Sequence, residues 1–321
     1  MSKYKTKHQP KKNKITWRNI VRQRELILMS VPLVLYMLFF SYYPLTGWSM
    51  AFQNYKPQIR SIWEQEWVGF ANFTKLFQGL YGEQFLRSVR NTFGQSLLTL
   101  VLGTFCAIGL SLLINEVRHM GFKRIVQNIS YLPHFLSWII ATGMIATALS
   151  LPSSGGIINT VLMNLNIISE PIAFLQKPEY FWWIVAFGNL WKSLGWNTII
   201  YLAAMTAIDP SLYEAADIDG ANRYQKMCWI TLPSIKPTIV ILLIMATGQL
   251  LQSGFELQYF LGGSVTAEMA ENIDIFVLKY GIQLRDYSLA TVAGIMKTGV
   301  SFVFVFAANY LAGKLGSEKL I

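Results

Sequence analysis

Residues 209–237 read DPSLYEAADIDGANRYQKMCWITLPSIKP. This polar, turn-punctuated stretch lies between two long apolar segments, roughly 180–207 and 237–260. Connections between bundled helices typically run about 2–8 residues, so a stretch this long implies a task of its own. Asp209-Pro210-Ser211 reads as a helix start, with proline at a first-turn position. Leu212, Ala215, Ala216 and Asp219 then recur at helical spacing, and the two alanines are small enough to let another surface approach closely. Gly220 is placed to end that helix. A second helical stretch carries Tyr224, Met227, Cys228 and Trp229, and Pro233 and Pro237 are expected to break the chain before the next apolar segment. The expectation is a short exposed helix held at a fixed angle, an element that suits a groove on a soluble partner.

Outward from this stretch, composition sets the solvent. Apolar residues make up 53% of the 321 and charged residues only 14%, against about 25% in soluble domains. Six segments approach the roughly 20 apolar residues needed to cross a bilayer core: 26–50, 91–115, 125–150, 180–207, 237–260 and 289–312. The chain therefore reads as an all-α polytopic membrane protein. Nine of its 27 Lys/Arg lie in residues 1–24, with no acidic residue among them. A basic arm can bind nucleic acid, but here it runs straight into an apolar segment. It reads instead as a cytoplasmic arm ahead of a membrane domain over 25–321. With the N-terminus inside, the inside segments hold 17 Lys/Arg and the outside loops 8, which favours both ends in the cytoplasm. Five of those eight lie in the 53–90 loop, where Trp63, Trp67 and Phe70 suggest a short structured or interfacial piece. A short outer helix is expected to start near Gly155-Gly156-Ile157-Ile158-Asn159.

Glu214-Ala215-Ala216, three residues, Gly220, nine residues, then Ile230-Thr231-Leu232-Pro233 resembles the EAA motif of bacterial ABC importer permeases, at every fixed position and both spacings. The resemblance extends over most of the chain. It is greatest to carbohydrate permeases of the maltose type, and among them to the long-armed subunits for polygalacturonan and rhamnogalacturonan fragments. It implies the type I importer permease fold with six transmembrane helices, in the bacterial cytoplasmic membrane. It implies that 209–236 holds a coupling helix docked on a separate ATPase, with Glu214 and Gly220 as hallmark residues beside Ala215, Ala216, Ile230, Leu232 and Pro233. It further implies a second, different permease subunit, an ATPase dimer carrying ATP and magnesium, and an extracytoplasmic solute-binding protein. An oligosaccharide would be the cargo, with no cofactor on this chain and no nucleic-acid partner.

Polar groups deep in apolar segments tend to mark pathways. Asn189, Lys192, Ser193 and Trp196 fall at i, i+3, i+4 and i+7, on one helical face. Indole offers a flat apolar surface and the others offer hydrogen bonds, a combination that suits sugars, and a lysine also suits a uronic-acid carboxylate. In the maltose-type permeases the stretch before the motif contacts the sugar. Gln249, Gln252 and Glu256 fall at i, i+3 and i+7 in the fifth segment, with Glu256 also placed to pair with Lys192 or Lys297. Both stripes are equally compatible with hydrogen bonding between helices. Gly103, Gly109 and Gly143 are expected at close helix contacts.

Other classes fit less well. No Gly-x4-Gly-Lys-[Ser/Thr] loop, His-Glu-x-x-His or Gly-x-Ser-x-Gly occurs, so ATP hydrolysis falls to another chain. An ion-coupled secondary transporter or channel would call for paired deep carboxylates and inverted repeats, yet Glu256 is the one clear deep carboxylate. His8, His119 and His134 share no metal spacing, and Cys106 and Cys228 form no framework.

Overall fold

A computed structural model describes residues 23–251 and 254–314. Most of the basic arm and residue Gln252 lie outside the described residues. The chain divides into two compact units, Met1–Ser49 and Met50–Ile321.

In the first unit, α1 (Arg24–Met37) carries Pro32 and passes into a π turn over Leu38–Tyr42. No residue of α1 is buried, and Leu28 and Met29 are among its exposed apolar side chains. With the residues that follow it, α1 forms an apolar helical run over Arg24–Phe52 long enough to cross a bilayer.

The second unit opens with two short strands, β1 (Gln53–Asn54) and β2 (Glu66–Trp67), paired antiparallel, and a short helix α2 (Ala71–Leu76). Asn72 ties them together by donating to the Ala51 and Gln53 carbonyls at 3.0 and 2.9 Å. Trp63, Trp67 and Phe70 remain exposed on this piece. The remaining elements are α3 (Gly79–Glu116), α4 (Met120–Tyr131), α5 (Trp138–Ala148), α6 (Ile157–Asn164), α7 (Pro178–Thr206), α8 (Pro210–Ile218), α9 (Arg223–Lys226), α10 (Leu232–Gly248), α11 (Phe255–Leu261), α12 (Ala267–Ala270), α13 (Ile273–Leu278) and α14 (Tyr287–Lys314). A short helix does follow Gly156, as α6.

Among the described residues, four helices are long and apolar enough to cross a bilayer, or five if one bent pair counts as a single span. Helix α7 is not among them although it has 29 residues. At 1.5 Å per residue it is long enough, but Asn189, Lys192, Ser193 and Asn197 dilute its apolar character.

Three segment expectations need correction. The third, 125–150, is not one helix: Met120–Phe135 and Trp138–Ala148 meet at 107°. Pro133 removes a backbone donor there, and the Ser137 hydroxyl caps α5 by accepting from the Ile140 N–H at 3.3 Å. The fifth, 237–260, stops at Gly248, and α11 is a separate helix after Gly254, which has φ +78°. Pro233 and Pro237 do not break the chain; they lie inside a helical run over Arg223–Gly248. A π turn over Met227–Thr231, closed by the Leu232 N–H on the Met227 carbonyl, reshapes the ladder just ahead of Pro233.

Packing is densest between α3 and α7. One apolar cluster joins Phe85, Phe276, Leu289 and Val292, a second Phe181, Val185 and Leu257, and a third Ile114, Met205 and Ile235. Helix α3 holds α12 and the start of α13 by buried polar side chains. Asn91 donates to the Glu268 and Glu271 carbonyls at 2.7 and 2.9 Å, and Gln95 to the Met269 carbonyl at 2.7 Å. The Thr92 hydroxyl accepts from the Ile273 N–H at 2.9 Å. Buried polar groups satisfied in this way cost little and fix a loop in one arrangement.

Candidate functional site

Two features stand out: an exposed helix after α7, and a cavity walled by α3, α7 and α10.

The exposed helix is α8. Asp209 caps it by accepting from the Ser211 N–H at 2.9 Å, with Pro210 at its first position. That N–H, aided by the Ser211 hydroxyl, holds the Asp209 carboxyl below the usual carboxylate range. At the other end Gly220 has φ +75°. The Gly220 N–H donates to the Asp217 carbonyl at 3.2 Å and the Ala221 N–H to the Ala216 carbonyl at 2.9 Å, the paired bonds of a Schellman cap. Two side-chain contacts set the angle to the following helical run. Tyr213 Oη meets Thr231 Oγ1 at 2.9 Å, and Lys226 Nζ meets Asp217 at 2.6 Å. No residue of α8 is buried; Glu214 and Ala215 face outward, Ala216 is half-buried, and Ile218 is 88% exposed. Tyr224 and Trp229 are exposed beside it, and Ile230, Leu232 and Pro233 lie on the same helical run. Apolar side chains left bare on a rigidly held short helix make a surface complementary to a groove.

The cavity, about 590 Å³, is walled by α3, α7 and α10, within the usual size range of ligand pockets. Asn189, Ser193, Trp196 and Gln249 all line it. Lys192 and Glu256 do not. The expected face of α7 is therefore divided. Lys192 is 7% exposed and turns to the bend between α4 and α5, where it donates to the carbonyls of Pro133 (3.3 Å), His134 (2.9 Å) and Leu136 (2.7 Å). The stripe Gln249, Gln252, Glu256 is not a continuous helical face either, because Gln249 caps α10 and Glu256 starts α11. Neither of the pairings considered for Glu256 forms: Lys297 pairs with Asp274, and Lys192 with the three carbonyls.

The opposite wall went unread in the sequence. Ser96, Thr99, Gly103 and Thr104 of α3 line the cavity, as do Asn197 and Tyr201 of α7. Their signal was a run of small and hydroxyl side chains at helical spacing in the second apolar segment, with Gly103 taken for a packing position. A methyl at Gly103, Gly109 or Gly143 would touch nothing within 4 Å. The glycines at close contacts are others: a Cβ at Gly195 would lie 2.1 Å from the Ser130 carbonyl oxygen, and one at Gly94 2.4 Å from the Trp182 ring. Every residue lining the cavity is uncharged.

Long apolar helices around an open, largely apolar cavity with a few polar side chains and one indole, and a capped, exposed helix on a long connection, fit a membrane permease. The chain belongs to the family of binding-protein-dependent transport system inner membrane components, whose sequence profile matches residues 99–317. It is a permease subunit of an ABC importer and has no catalytic role of its own. It is 38% identical over 307 residues to protein LplB of Bacillus subtilis, covering 95% of this chain and 94% of that one. It is 40% identical over 301 residues to the polygalacturonan/rhamnogalacturonan transport system permease protein YteP of the same organism, covering 94% and 91%. Among solved structures it is similar to a chain of a bacterial ABC transporter involved in the import of the acidic polysaccharide alginate. The TM-score there is 0.83 at 39% identity, covering 93% of this chain and 98% of that one. A structure of the bacterial alginate transporter in complex with an alginate pentasaccharide-bound periplasmic protein also matches, with TM-score 0.84, 38% identity and coverage of 95% and 99%.

Proposed function

We infer that this permease carries an oligosaccharide, of the acidic polysaccharide class, into the cytoplasm across the bacterial inner membrane. It does so as six spans with both ends inside. The bent pair α4–α5 makes one span and α7 another, its polar residues turned to the cavity and the bend. A second permease subunit faces it, an ATPase dimer binds ATP and magnesium beneath it, and a solute-binding protein delivers the sugar from outside. The observation that carries this reading is α8. Glu214 and Gly220 stand at the motif positions, on and just after an exposed helix whose caps and cross-links to Lys226 and Thr231 let it transmit force as a rigid body. Hydrolysis in the partner displaces α8, and the attached helices rock about the cavity to alternate access.

Support for a sugar comes from the cavity wall, where Trp196 offers a ring face and Asn189, Ser193 and Gln249 offer hydrogen-bonding groups. Support for an acidic sugar comes from the substrates named for the relatives, polygalacturonan, rhamnogalacturonan and alginate, not from Lys192, whose donors are already engaged.

A membrane-impermeant thiol reagent on Glu214→Cys, in a chain lacking Cys106 and Cys228, tests the arrangement. Labelling is expected in inside-out vesicles alone. Labelling from the outer face of intact cells, or purified complexes without an ATPase, would overturn it. Uptake of oligogalacturonides against malto-oligosaccharides of equal length in reconstituted vesicles tests the sugar class.

A further inference from the structure

The residues of α7 at 192, 195 and 196 meet the broken third span at three points. A helix break inside a membrane leaves carbonyls without donors, in a solvent that supplies none. Between α4 and α5 the Pro133, His134 and Leu136 carbonyls all receive the Lys192 ammonium, at 3.3, 2.9 and 2.7 Å. An ammonium has three N–H donors, so this one is saturated. It also lies 5.0 Å from the Trp138 ring centroid, at the start of α5. One turn on, Gly195 lets the α7 backbone reach the Ser130 carbonyl, where no larger residue fits. Next to it, Trp196 stacks on His134, inside the break, with ring centroids 4.5 Å apart and 6° between planes. The spacing i, i+3, i+4 puts all three contacts on one side of α7. Trp196 also lines the cavity, so the geometry of the bend and that of the cavity wall are joined in one side chain.

We propose that Lys192, Gly195 and Trp196 form a clamp by which α7 fixes the bend of the third span, and that Lys192 is a positioning residue for the cavity wall and not a contact for solute charge. The clamp concerns this chain's own geometry. Its consequence for transport rests on the cavity being the solute path, so its test is independent of any sugar.

Spin labels at Ile125→Cys and Ile140→Cys, both on exposed positions either side of the break, report the bend in the assembled transporter in nanodiscs, with Cys106 and Cys228 replaced by alanine. The parent is expected to give one narrow distance peak. Lys192→Met should lose that peak to a broad distribution, Lys192→Gln should broaden it less, and Lys192→Arg, which still donates to carbonyls, should largely restore it. An unchanged peak in both Lys192→Met and Lys192→Gln overturns the clamp. A second measurement separates positioning from charge recognition. At Ser193→Cys in the cavity, the labelling rates of an anionic sulfonate and a cationic trimethylammonium methanethiosulfonate are compared. Carbonyl dipoles do not cancel the ammonium charge but hold it towards the bend, so Lys192→Met should change the ratio of the two rates by less than about twofold. A larger fall in the anionic rate relative to the cationic one means that Lys192 presents its charge to the cavity and overturns the assignment.

Discussion

The imidazole of His134 lies flat on the indole of Trp196, centroids 4.5 Å apart and planes within 6°. His134 sits in the turn that separates α4 from α5, and Trp196 sits in the middle of α7 and on the wall of the cavity. A ring that both braces a bend and lines a cavity carries two duties, and they can be weighed separately.

Aromatic pairs contribute about 0.5–1.5 kcal/mol beyond buried area. Trp196→Leu should therefore raise the half-saturating concentration for sugar uptake about 2- to 12-fold, by the tenfold-per-1.4 kcal/mol rule. Trp196→Phe, which keeps a ring face, should lose less. Uptake kinetics in reconstituted vesicles check both, and equal losses for the two variants would argue against stacking.

Gly195 has no room for a side chain, its Cβ position being 2.1 Å from a backbone oxygen. Backbone cannot swing aside as a side-chain end can. Gly195→Val should destabilise the subunit by about 1–3 kcal/mol, the usual cost of overpacking. A lowered thermal midpoint of the purified complex is the expected result.

Gly220 holds φ +75° in the cap of α8, where an L-residue costs roughly 1–2 kcal/mol. Gly220→Val should fray the helix end and reduce uptake by about tenfold or more, while Gly220→Asn, tolerated in this region, should be milder. Combined with Glu214→Ala, it should abolish transport and co-purification of the ATPase while membrane insertion persists. Immunoblotting of membranes beside affinity purification reads both.

Lys297 of α14 pairs with Asp274 of α13, and both side chains are less than one-third exposed. Removing one partner leaves the other charge short of compensation. Asp274→Leu alone should cost about 1–3 kcal/mol, a discounted form of the buried-pair penalty. The double variant Asp274→Leu with Lys297→Met should recover much of that loss, which thermal midpoints of the four proteins would show as non-additivity. Strict additivity would count against the pair.

The sequence by itself determined the solvent of this protein and the ends of its exposed connecting helix. Apolar run length dictates bilayer helices because unpaired backbone is intolerable in hydrocarbon, and the caps of α8 are local: Asp209, Pro210 and Gly220 each act on their own few residues. Local physics is legible in order along a chain. The tertiary structure alone decided what the deep polar residues face. Asn189, Lys192, Ser193 and Trp196 share one stripe on paper, yet Lys192 turns to carbonyls some sixty residues earlier in the chain while its neighbours line a cavity with α3. The His134 and Leu136 carbonyls need a donor only because the chain breaks between α4 and α5, and nothing within α7 announces a break in another helix. The same holds for glycine. Gly195 is tight and Gly103 is open because of what lies across from each, which helical periodicity does not encode.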